Sequence, residues 1–213
     1  MAVWSKGYYS PTTGVWHNIV AATADCKMSF CQAANISPTD SCRLVVAVGA
    51  ASDLEISAPT GLSVQSTGGV GNVVYEYVVT AVKSDGRETG PSGKVTLNSG
   101  YDGLDNTNYN SLTWQEVTGA AKYRVYRRKG GTESIDIDVV ETTSLSYADK
   151  GGMSDGEKWP WINMTGVVAV LAWCELPPGV GIEPISRPIP IANGDKIMLY
   201  TTGAVSAFAS GEV

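Results

Sequence analysis

The chain predicts an all-β protein of two β-sandwich domains, one inserted in a loop of the other. Residues 57–150 form the insert, and residues 1–56 with 151–213 form a discontinuous domain around it. Three observations lead there. With 24 Gly and 10 Pro among 213 residues, the sequence is rich in turn formers, and it nowhere spaces apolar residues at the helical period. Short stretches in which apolar and polar residues alternate recur along its length instead, as half-buried strands require. Finally, all four cysteines, Cys26, Cys31, Cys42 and Cys174, lie in the flanks and none in the insert.

In the opening flank, residues 15–22, 27–34 and 43–49 read as strands. The breaks between them fall at Thr23-Ala24-Asp25 and at Asn35-Ile36-Ser37-Pro38-Thr39-Asp40, where Asn, Pro and Asp favour turns for backbone reasons. The closing flank offers residues 166–175, a Pro-rich crossing at Pro177-Pro178-Gly179, and then residues 182–191, 196–201 and 205–210. Its last two strands alternate on either side of Gly203, the pattern of a hairpin. The three opening strands alone would leave an apolar face open to water, so the flanks together complete one seven-stranded sandwich.

The insert opens on Ala58-Pro59-Thr60-Gly61-Leu62-Ser63-Val64. Residues 75–82 then alternate, and a turn-rich loop follows from Ser84 to Ser92. Leu112-Thr113-Trp114 and Tyr123-Arg124-Val125-Tyr126 supply two further strands, and the module exits through Leu145-Ser146-Tyr147-Ala148-Asp149.

These insert motifs are similar to those of fibronectin type III domains, in which a Trp on one strand and a Tyr on the next fill the core between the sheets. The order differs, because the Tyr75-Glu76-Tyr77 strand precedes the Trp114 and Tyr123 strands; the insert thus resembles a rearranged relative found in phage structural proteins. The flanks resemble a small β-sandwich of tailed-bacteriophage virion proteins, on the strength of Gly194-Asp195-Lys196-Ile197-Met198-Leu199-Tyr200 and the final strand ending Ser210-Gly211-Glu212-Val213. The resemblance implies a structural virion protein of collar, neck, baseplate or head-decoration type, anchored by the split domain and displaying the insert. It implies a homo-oligomer, a ring or trimer, in contact with other virion proteins.

Charge and motifs point the same way by exclusion. A net charge of −6 gives no electrostatic case for nucleic acid or an anionic membrane. The N-terminus lacks the basic and apolar segments of a secretory signal. The longest apolar run, residues 167–174, is strand-sized. The expected product is therefore made in the host cytoplasm and carried in the virion.

No cofactor, metal or catalytic group is expected. The lone histidine, His17, has no Gly-x-Ser-x-Gly elbow near it. Asp136 and Asp138 read as the solvated side of a strand whose Ile135, Ile137 and Val139 turn inward. The oxygen-rich loop 101–110 lacks calcium-loop spacing and reads as solvated. In the basic run Lys122, Arg124, Arg127, Arg128 and Lys129, Tyr123 and Val125 face the core while Lys122 and Arg124 face water. The four cysteines read as buried thiols, with a disulfide inside the flanking domain or between subunits as the alternative. Trp4, Tyr8, Tyr9, Trp159 and Trp161 fall in segments with little strand character and read as a subunit interface. An adhesive role, with loops 84–91 and 101–110 binding host glycan or protein, is the alternative function; a depolymerase would need a paired acid and base.

Overall fold

A computed structural model describes residues 3–10, 16–21, 26–49, 55–130, 137–156, 160, 162–185, 189–191 and 195–212. The described residues form strands and turns, with no helix. In chain order the strands begin β1 (Val3–Ser10), β2 (Trp16–Ala21), β3 (Cys26–Asn35) and β4 (Cys42–Gly49). Next come β5 (Ser63–Thr67), β6 (Val73–Val82), β7 (Val95–Gly100), β8 (Tyr109–Thr113), β9 (Lys122–Lys129), β10 (Ile137–Thr142), β11 (Ser146–Asp149) and β12 (Ser154–Asp155). The last five are β13 (Ala169–Leu176), β14 (Gly181–Ile185), β15 (Ile189–Ile191), β16 (Lys196–Thr201) and β17 (Val205–Glu212). They divide into two compact units, Met1–Leu54 with Gly166–Val213, and Glu55–Thr165.

The discontinuous unit holds a five-stranded sheet, ordered β1-β17-β3-β14 with β15 also on β3, and a four-stranded sheet ordered β13-β4-β16-β2. Between them Met28, Leu44, Val46, Leu176, Ile197, Leu199 and Val205 make one apolar core drawn from both chain segments. Neither segment could close it alone. Two differences from the seven-strand expectation have simple causes. Residues 3–10 are a strand, because all eight positions pair antiparallel with β17, from Val3 opposite Glu212 to Ser10 opposite Val205. Residues 182–191 are divided into β14 and β15, both laid along β3.

The continuous unit is also two-layered. Its larger sheet runs β12-β10-β9-β6-β7 and its smaller one β11-β8-β5. Hairpins in the larger sheet alternate with single strands of the smaller one, so β6-β7 and β9-β10 are each followed by a crossing to the other layer. Tyr75, Tyr77, Val79, Leu112, Trp114, Tyr123 and Val125 fill the space between. Trp114 and Tyr123 meet edge to face with ring centroids 5.6 Å apart, and the Tyr123 hydroxyl accepts the Val117 amide. Those are the two aromatics singled out in the sequence.

The unit ends later than the sequence suggests: residues 151–165 count with it, not with the closing flank. Met153 is buried in its core and β12 extends its larger sheet. The Met164 amide donates to the Glu88 carbonyl. Asn163 Nδ2 donates to the Ile56 carbonyl at 2.8 Å, and Thr165 Oγ1 accepts the Ile56 amide at 2.9 Å. The two chain ends of the unit are therefore clasped side by side.

Candidate functional site

The basic run on β9 is where sequence and structure differ most usefully. Tyr123 and Val125 do face the core, as expected, and strand alternation then turns Arg127 inward as well. Arg127 is buried and lies opposite Asp138 of β10. Its Nε donates to Asp138 at 2.9 Å, and its Nη1 donates to both oxygens of the wholly buried Asp149 at 2.9 and 3.0 Å. Asp149 also accepts the Tyr77 hydroxyl at 2.7 Å, and Asn110 Nδ2 donates to that same Tyr77 oxygen at 2.8 Å. Burial first, then the Asp149 charge, pushes the Tyr77 phenol far above its usual range.

This network corrects two expectations at once. Asp138 is not on a solvated face, and it is Val140, not Ile137 or Val139, that packs into the core. Register is the reason: Asp138 pairs with Arg127 and Val140 with Val125, so the even positions of β10 turn inward. Asp136 lies outside the described residues.

The opposite face of the same sheet carries the other charges. Glu76, 3% exposed, is held by Lys94 and Arg128. Burial alone would raise its carboxyl, yet those two cations hold it below its usual range. Glu88 takes hydrogen bonds from Thr80, from Tyr126 at 2.7 Å and from Arg124 at 2.8 Å. Arg124 and Lys122 both reach Glu141 as well, at 2.9 and 2.6 Å. So Arg124 is half-buried and bridges two carboxylates, Glu88 and Glu141. A groove of about 410 Å³ opens beside Arg124, Tyr126, Glu141, Ser154 and Asp155. Two of its charged walls, Arg124 and Glu141, are already paired with each other.

The loops named for adhesion sit at opposite ends of the unit. Loop 84–91 follows the C-terminal end of β6, while loop 101–110 begins where Gly100 pairs with Val73 at the N-terminal end. A ten-residue strand separates them by roughly 30 Å. They cannot form one binding surface.

Loop 84–91 is in addition tied down. Thr89 Oγ1 and Ser92 Oγ accept the amides of Ala81 and Val79 at 2.9 and 3.0 Å, standing in for the carbonyls of a regular ladder. Asp85 closes the turn by accepting Arg87, which pulls its carboxyl down to about 2. In loop 101–110, Asp105 Oδ1 accepts the amides of Thr107 and Asn108, both at 2.7 Å, so that oxygen serves the turn. Among the described residues no group of three or more His, Cys, Asp or Glu is placed to hold a metal ion.

Cys42 and Cys174 are free thiols on neighbouring strands. Cys42 pairs with Leu176 and Cys174 with Leu44, a diagonal relation that puts them about 7–8 Å apart, beyond disulfide reach. Burial pushes both thiols up. Cys26 and Cys31 lie at positions of β3 about 16 Å apart along the strand and cannot bridge each other. Their side chains lie outside the described residues, as do those of Trp4, Tyr8 and Tyr9; Trp159 and Trp161 lie outside them altogether. Trp4, Tyr8 and Tyr9 stand on β1, a paired strand, not an irregular arm. His17 is half-buried on β2 opposite Leu199.

The aromatic that sequence reasoning passed over is Trp173. It is 60% exposed on β13 and sits in register with Val45, Tyr200 and Trp16, a transverse row over the outer face of the four-stranded sheet. Trp16 and Tyr200 meet edge to face at 5.5 Å. The uncharged run 167–174 was the available signal. No family model, curated protein or solved structure matches this chain.

Proposed function

We propose that this protein is a non-enzymatic structural component of a tailed-phage virion, of collar, neck, baseplate or head-decoration type. In this reading the discontinuous unit is the anchoring β-sandwich, and the continuous unit is a fibronectin type III or Ig-like sandwich inserted into it for display. Copies assemble with one another and with other virion proteins.

The observation that carries the reading is the clasp of Ile56 by Asn163 and Thr165, which brings the two ends of the continuous unit together. A module whose ends meet can interrupt a loop of another domain without stretching it. Its charged side chains also bond mainly to each other, which suits a rigid projecting body. Mass spectrometry of purified particles tests the proposal: a fixed copy number per virion is expected, and a protein confined to the lysate would refute it.

Adhesion remains a second reading on one observation. At the β6 N-terminal end, Val70 is 86% exposed and Tyr101 is 38% exposed. Binding of the purified protein to intact host cells, lost on Val70→Asp, is the outcome this reading requires.

A further inference from the structure

Among the described side chains, the exposed large apolar ones that stand on a strand are Val170 and Trp173, both on the edge strand β13. It pairs with β4 along one side, and among the described residues no strand pairs with its other side. Val168, Val170 and Trp173 are 55%, 48% and 60% exposed, and the last two lie on the outer face opposite Ala47 and Val45. Sheet edges are normally guarded by Lys, Pro or inward charges, because unpaired amides and carbonyls recruit another strand. Residues 167–174 contain none of these, although a bulge interrupts the register between Val170 and Ala172, and the first charge after them is Glu175.

We propose that β13 is a self-association edge, through which two copies join antiparallel about a two-fold axis, making one sheet that runs through both. Three observations select a second copy as the occupant. The chain carries a net charge of −6, so copies repel over most of their surface, and this uncharged strip is a place where they can meet. The other exposed large apolar side chains among those described, Ile36, Val70, Tyr101, Leu145 and Val180, lie in turns and loops, so among the described side chains the strand that matches β13 is β13 of another copy. The opposite edge, β2, presents the exposed polar Asn18 instead.

Antiparallel pairing is also self-complementary. An axis between Leu171 and Ala172 sets Val170 of one copy beside Trp173 of the other, twice over, and every contact is made in duplicate. The three side chains expose on the order of 300 Å² per copy. With the newly paired backbone, the contact falls near the low end for specific association, so a micromolar dimer is expected.

The inference rests on the assembly reading above for why a self-contact should exist, and it names the surface. Light scattering during size-exclusion chromatography of the full chain, across a concentration series, tests it. A dimer is expected whose dissociation constant weakens by about a hundredfold in Val170→Lys. Trp173→Ala should weaken it as well, and both variants should keep the wild-type circular dichroism spectrum, since neither side chain is part of the buried core. A wild-type monomer at the highest concentration, or a ring or dimer unaffected by either variant, overturns the proposal. Neither result bears on copy number in virions; conversely, an intact dimer absent from particles sinks the virion reading alone.

Discussion

Replacing Asp149 with Ala should be the most damaging single change in the continuous unit. Asp149 is wholly buried and accepts Arg127 twice, the Tyr77 hydroxyl and the Gly151 amide. Its loss leaves the buried Arg127 guanidinium with Asp138 alone and strips two other donors of their acceptor. Removing one partner of a buried pair costs about 3–5 kcal/mol, a large part of a typical domain stability of about 5–15 kcal/mol. Arg127→Met with Asp149→Leu removes both charges and fills similar volume, so the double variant should regain most of the loss. Urea unfolding followed by Trp fluorescence and circular dichroism measures all three proteins. A cost under about 1 kcal/mol for Asp149→Ala, or a double variant no better than the single, would refute the view that the charge left behind is what destabilises.

Other outcomes follow from the same geometry. Thr89→Val should orphan the buried Ala81 amide and cost about 1–3 kcal/mol, and protease sensitivity in loop 84–91 should rise in step. Gly100→Ala should destabilise by about 1–3 kcal/mol, because the new methyl would overlap the ring of buried Tyr75, and differential scanning calorimetry would detect it. Glu76 is depressed in the fold, so its contribution is present above its ordinary 4.5 and is lost as pH falls through its lowered value. Tyr77 and Tyr126 are raised, so their contribution is present below the ordinary 10.0 and is lost as pH climbs above it. Stability against pH should therefore form a plateau, and Glu76→Gln should flatten its acid limb.

Much of the fold was legible because alternation is a local property. Tyr75, Tyr77 and Val79 announce a core-facing strand wherever their partners lie, and Trp114 with Tyr123 announces the layer across from it. Face assignment on β10 failed for a complementary reason. Its sequence alternates Ile135, Ile137 and Val139 with Asp136 and Asp138, and of the described positions Ile137 and Val139 face outward while Asp138 turns inward. Burial on that strand is decided by the cross-strand partner, and Arg127 on β9 requires an inward carboxylate. Likewise β1 has no strong pattern of its own, and it is a strand because the far C-terminal β17 lies ready to pair with it.

The same distinction between local pattern and pairing bears on what the molecule can present to a partner. In the continuous unit the carboxylates Glu76, Glu88, Asp138 and Asp149 are each bound to an arginine of β9. A charge already matched inside the protein gains little from a ligand, since binding would exchange one partner for another after further desolvation. Recognition energy must then come from groups that are still unmatched, and the apolar side chains on the β13 edge are of that kind. Contact with another copy is accordingly more favourable there than capture of a charged ligand on the ion-paired sheet.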